Sequence, residues 1–147
     1  MIISTKRFGE IEINEESIID FPGGILAFED QKRFIIIDNG DKNNSFQWFQ
    51  SLENPELSFV IINPFLFKKD YDINIPDSVV NKLKINSPKD IAIYTIVVVP
   101  EDIKNTTANL SGPIIINCKE RLGKQIILDD KRYTTKYPLF QNQGQGE

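Results

Sequence analysis

The sequence predicts an all-β fold, a small antiparallel β-barrel-like single domain with one short helix. Three observations predict it. Residues 91–99 (Ile-Ala-Ile-Tyr-Thr-Ile-Val-Val-Val) and 113–117 (Pro-Ile-Ile-Ile-Asn) are nearly unbroken β-branched runs, the pattern of strands buried on both faces. Other short apolar runs are separated at regular intervals by turn residues, giving about eight to ten strands. Only residues 76 to about 84 carry a helical period. There Pro76 suits a first turn, Asp77 favours the positive end of the dipole, and Val79, Val80 and Leu83 share a face.

The elements follow in order. Residues 8–13 alternate, with Ile11 and Ile13 on one face and Glu10 and Glu12 on the other, which is a half-buried strand. Ile2 and Ile3 precede it and pair with it through a tight turn near residues 6–9. Residues 20–25, Asp-Phe-Pro-Gly-Gly-Ile, form a sharp reversal, since proline fixes φ and the glycines accept positive φ. Strands are predicted at 33–37, 46–51 and 57–62, with turns at 38–41 and 53–56 between them and Pro64 ending the last. Residues 65–71 are an irregular aromatic segment. After the helix, the two central strands are joined by a polar connection, residues 100–112, with no apolar period of its own. Loops of that length are uncommon and often functional, so this one is the first candidate for a binding surface. A final strand is predicted at 123–128, residues 133–140 run extended along an edge, and residues 141–147 have nothing to bury and are expected to be disordered.

Composition excludes several chemistries. The chain has no histidine, which removes a Ser-His-Asp triad, imidazole acid–base work and histidine-based metal sites. A single cysteine, Cys118, excludes an internal disulfide and a cysteine-rich metal site, and beside an isoleucine run it reads as a small buried hydrophobe. A net charge of −4 argues against direct nucleic-acid binding. The first residues lack the apolar core of a signal peptide, and no run approaches the roughly 20 residues of a membrane span. The expectation is a cytoplasmic protein with no membrane partner, in which the Asn-x-Ser/Thr matches at Asn43, Asn105 and Asn109 are chance.

Carboxylates are the abundant acid–base groups. Glu10, Glu12, Glu15, Glu16, Asp20, Glu29 and Asp30 face only Lys6 and Arg7 over the first thirty residues. A paired-carboxylate enzyme is conceivable, but these residues alternate with the core face, as on a solvated strand. The last third leans basic, with Lys119, Arg121, Lys124, Lys131, Arg132 and Lys136. No phosphate loop, dinucleotide fingerprint, kinase signature or metal-ligand spacing occurs. Phe46, Trp48, Phe49, Phe59, Phe65 and Phe67 lie mostly on strands, so most are core and a few on an outer face would form an anchor patch. The residues themselves reach a β domain with binding loops, with no cofactor and no small-molecule substrate. A carboxylate enzyme and an OB-like binding barrel remain as alternatives.

Taken together, Thr5–Lys6–Arg7–Phe8–Gly9–Glu10–Ile11, the Asp-Phe-Pro-Gly-Gly-Ile-Leu-Ala-Phe block at 20–28, Phe46–Gln47–Trp48–Phe49–Gln50–Ser51, Thr-Thr-Ala-Asn-Leu-Ser-Gly-Pro-Ile-Ile-Ile-Asn at 106–117 and Gln125–Ile126–Ile127–Leu128 resemble the flagellar assembly factor FliW family over residues 1–140. Ala27 stands where the family pattern has glycine, and Phe49 where it has leucine. The resemblance implies a β-barrel-like domain that binds flagellin and the translational regulator CsrA. By sequestering CsrA it would relieve repression of flagellin translation, without catalysis. The acidic balance would complement a basic CsrA dimer. The residues expected to meet partners are Phe21, Pro22, Gly23, Gly24, Ile25, Trp48, Thr106, Thr107, Asn109, Leu110 and Pro113. The turn at 21–25 and the loop at 106–113 are expected at one barrel end, and alanine at Asn109 or Leu110 is expected to weaken binding without lowering the melting temperature.

Overall fold

The computed structural model describes residues 1–41 and 45–140; residues 141–147, where the sequence predicts disorder, lie outside the described part. β1 (Ile2–Thr5) and β2 (Gly9–Glu12) form the predicted hairpin, with Ile3 opposite Ile11. The Thr5 hydroxyl closes its turn, donating to the Gly9 carbonyl at 2.8 Å and accepting from the Phe8 N–H at 2.8 Å. The apolar face of this ribbon, Ile3, Ile11 and Ile13, packs on Ile35 and Ile37.

Those isoleucines belong to β4 (Arg33–Asp38), one of seven strands that close a barrel. The others are β3 (Ile19–Asp20), β5 (Gln47–Ser51), β6 (Ser58–Ile62), β7 (Ile91–Val98), β9 (Ile114–Asn117) and β10 (Leu122–Gln125). The order around the barrel is β3-β4-β5-β6-β7-β9-β10 and back to β3. Every pairing is antiparallel except β3 with β10, where Asp20 lies opposite Leu122 in parallel. β7 makes closure possible. Ile91 to Tyr94 pair with β9, and Thr95 to Val97 pair with β6. Its last residues, Val97 and Val98, pair with β8 (Thr107–Ala108), which in turn pairs with β11 (Tyr137–Pro138). The C-terminal segment thus runs along an edge, as its sequence predicts.

The connection at 100–112 is more ordered than its polarity suggests. It holds a 3-10 turn, Ile103–Asn105, capped by the Asp102 carboxylate accepting from the Lys104 N–H at 3.1 Å, and then β8. Burial on both faces holds for β9, whose four residues are all buried, but not for β7, most of which is half-buried. β10 stops at Gln125, short of the predicted 128. Ile126 and Leu128 instead donate their N–H groups to the Pro113 and Ser111 carbonyls and pack beneath the helix.

Helix α1 (Asp77–Lys82) lies within the predicted span and sets Val79 and Leu83 against Ile115 on the outside of β9. Asn117 fastens it. The buried amide donates to the Leu83 and Lys84 carbonyls at 2.7 and 3.1 Å, while its oxygen accepts from the Lys119 and Glu120 N–H groups. Cys118 corrects the sequence expectation: it is exposed, because the ladder ends at Asn117 and the chain turns outward. Among the described residues no helix is long and apolar enough to cross a membrane.

The barrel interior is aromatic at its centre. Phe34 and Phe49 stack at 4.3 Å, and the Phe21 ring stands edge-on to both at 5.5 and 5.2 Å. All three are fully buried, with Ile19, Ile25, Ile61, Ile114 and Ile116 around them. Gly123 is the floor under Phe21, and a Cβ there would overlap the ring. Accordingly Phe21→Ala is expected to cost about 3–5 kcal/mol and Gly123→Ala about 1–3 kcal/mol, both read as lowered urea midpoints with an unchanged m-value.

Candidate functional site

The turn after β3 is built from its backbone outward. Phe21 enters the core and its N–H donates to the Lys32 carbonyl at 2.7 Å, which leaves Pro22 and Gly23 exposed at the tip. The Gly24 N–H returns to the Phe21 carbonyl at 2.8 Å with φ at +67°, and a Cβ at Gly24 would lie 2.5 Å from the Glu29 backbone. Ile25 and Phe28 pair across a second reversal whose tip is Leu26 and Ala27. Ala27 holds φ at +70°, a left-handed conformation that strains a residue with a side chain. Glycine, the residue expected here from the family resemblance, would hold this conformation without that strain.

Gln125 joins this turn to the distant loop. Its oxygen accepts from the Leu26 N–H at 3.0 Å and its amide donates to the Gly112 carbonyl at 3.0 Å. Residues 21–28 and the end of the 106–113 loop therefore meet at one barrel end through a single side chain. Sequence reasoning placed Gln125 in a strand and in the Gln125–Ile126–Ile127–Leu128 block of the family resemblance, but not among the site residues; the available signal was a polar residue between Gly123 and the isoleucines, where an aliphatic would be expected.

The predicted partner residues divide. Phe21, Gly24, Ile25, Thr106, Leu110 and Pro113 are buried, so they chiefly shape the turn and loop. Thr106 donates its hydroxyl to the Ile103 carbonyl at 2.6 Å, and the Leu110 N–H donates to the Thr134 carbonyl at 3.0 Å. Leu110 also packs with Tyr71 and Tyr133, and the Tyr71 hydroxyl donates to the Leu110 carbonyl at 2.5 Å. Pro22 and Gly23 are exposed; Trp48, Thr107 and Asn109 are half-buried.

Trp48 stands apart from the Phe21 turn, on the outer side of β5. Arg7 lies over its ring at 4.0 Å and Phe8 meets it edge-on at 5.9 Å. With Phe46, Val60, Val99 and Ile103 it lines an open groove of about 540 Å³ that Thr106 borders. Val99 and Ile103 on this side are exposed, an apolar pair that the sequence conceals because Val99 closes a run read as buried and Ile103 follows Pro100, Glu101 and Asp102.

The carboxylates of residues 1–30 are all exposed. Among the described residues, no group of three or more His, Cys, Asp or Glu side chains is placed to hold a metal. Cys118 borders a smaller cavity of about 320 Å³ at the barrel mouth, together with Tyr94 and Arg121. Partial burial and the nearby Asp90 carboxylate hold its thiol above the ordinary value, so little thiolate forms at neutral pH.

Leu110→Ala is expected to lower stability by about 2–5 kcal/mol, in contrast to the sequence expectation of an unchanged melting temperature. Ala27→Gly should instead stabilise by about 0.5–1 kcal/mol. Burial raises the Tyr71 hydroxyl well above its ordinary 10.0, with Tyr133 adding to the effect. The fold keeps this proton where the unfolded chain loses it. Its contribution is therefore full below about pH 10 and declines as pH rises beyond that. Urea titrations across alkaline pH should show a shallower decline in Tyr71→Phe than in the parent.

Comparison with known proteins agrees with this architecture. The family profile described as FliW protein matches residues 2–139. A relative from Alkaliphilus metalliredigens, named flagellar assembly factor FliW, is 52% identical over 96% of this chain and 87% of its own length. A second of the same name, from Caldicellulosiruptor bescii, is 50% identical over 96% of this chain and 91% of its own. A crystal structure of the flagellar assembly factor FliW superposes with a TM-score of 0.88 at 40% identity, covering 95% of this chain and 97% of that one. With profile, relatives and barrel in agreement, the chain belongs to the FliW family of flagellar assembly factors.

Proposed function

We propose that this protein works by binding other proteins in the cytoplasm, taking flagellin and the translational regulator CsrA as its partners. Holding CsrA away from flagellin messenger relieves repression, and accumulating flagellin draws the factor off CsrA again. No bond is made or broken in this cycle, and no cofactor or small-molecule substrate enters it. The assembly-factor names of the relatives support a binding role over a catalytic one.

The observation that carries the reading is the open apolar groove at Trp48. Aromatic and aliphatic side chains left on an outer face cost solvation unless a partner covers them, and rigid Trp, with Arg beside it, is a typical anchor of such contacts. The apolar face of an amphipathic helix, such as the ends of an unassembled filament subunit, matches a groove of this kind.

Trp48 is the one tryptophan of the chain, so its fluorescence reports directly on the groove. Titration with purified flagellin should shift the emission to shorter wavelength. Ile103→Asp, at an exposed position, should weaken flagellin binding about tenfold or more with an unchanged melting temperature. An unshifted emission together with unaltered affinity in the variant would remove the groove from the reading; failure of both flagellin and CsrA to bind would remove the reading itself.

A further inference from the structure

We infer that the exposed tip of the turn after β3 is a docking point for an acidic segment of a protein partner. The inference rests on the protein-binding reading above and adds the chemistry of a second surface, separate from the Trp48 groove.

Three lysines from three parts of the chain meet at Pro22 and Gly23. The Lys32 ammonium donates to the Pro22 carbonyl at 2.9 Å. The Lys124 ammonium reaches Gly23, where it would be 3.8 Å from a Cβ. Lys82, on the last turn of α1, lines with Lys124, Pro22 and Gly23 an open concavity of about 320 Å³. Among the described residues the ion pairs are Lys6–Glu56, Arg33–Glu53, Lys68–Asp70 and Arg132 with Asp72 and Asp130. None of them employs these three lysines.

Two acids of the neighbouring chain, Glu29 and Glu53, are already engaged. Glu29 turns its carboxylate to the Ala27 N–H at 3.2 Å. Glu53 accepts from the Lys32 and Arg33 N–H groups and from the Arg33 side chain. The two carbonyls that follow the helix, Leu83 and Lys84, which would repel an anion, are occupied by the Asn117 amide. In a chain of net charge −4, a group of cations that enters none of the ion pairs among the described residues is complementary to carboxylates supplied from outside. Its partly apolar floor, Leu83 and Gly123, suits a peptide laid across it.

The test uses the full chain and a fluorescein-labelled oligoglutamate peptide, followed by anisotropy at low and at physiological salt. Binding is expected at low salt and should weaken as salt screens it. Lys82→Glu with Lys124→Gln should reduce affinity roughly tenfold. A control of equal charge change at exposed lysines elsewhere, Lys69→Glu with Lys131→Gln, should reduce it far less. Lys82 is exposed, so Lys82→Glu alone decides the matter if the pair impairs folding. Absence of peptide binding, equal loss in the control, or equal competition by an unstructured RNA oligomer would overturn the inference. Peptide binding that persists where neither flagellin nor CsrA binds would uphold this surface and overturn the choice of partners.

Discussion

The structure depends on one packing arrangement, the Phe21 ring seated on Gly123 and set edge-on against the stacked pair Phe34 and Phe49. It ties β10 to β4 and β5 across the interior, and it does so next to the only parallel contact of the barrel, Asp20 with Leu122. That contact is a single pair and supplies little ladder energy, so side-chain packing secures closure there. A ring without a Cβ beneath it approaches the backbone more closely than an aliphatic could, which is why an aromatic and a glycine occupy facing positions.

The same arrangement accounts for the surface. Once Phe21 is drawn inward, Pro22 and Gly23 are forced out, and Gln125 fixes the following reversal to the end of the loop at Gly112. The motif residues most recognisable in the sequence are therefore largely the ones hidden in the fold. Residues free to meet a partner are their less distinctive neighbours: lysines from separate segments around the turn, and Trp48, Val99 and Ile103 around the groove. The two surfaces differ in character, one cationic and one apolar.

Most of the architecture was legible where pattern and burial coincide. The alternation of Ile11 and Ile13 with Glu10 and Glu12, the helical spacing of Val79 and Leu83, and the uninterrupted Ile114 to Ile116 each correspond to an observed element. The failures have a common cause. Cys118 borders an isoleucine run but lies just past the end of the ladder, and a linear pattern does not mark where pairing stops. Leu110 stands in a polar stretch yet is fully buried, because Tyr71 and Tyr133, remote in sequence, enclose it.

The sequence by itself determined the strand-rich class, the one helix, the absence of imidazole chemistry and, through its motif blocks, the family. Those properties reside in residue type and short-range period, which the chain states directly. Tertiary structure alone decided that the barrel closes through a split β7, that Phe21, Gly24 and Ile25 of the turn motif are interior, and that Lys32, Lys82 and Lys124 come together. Each of these depends on which distant strands lie side by side, and that is set by the packing of the whole interior.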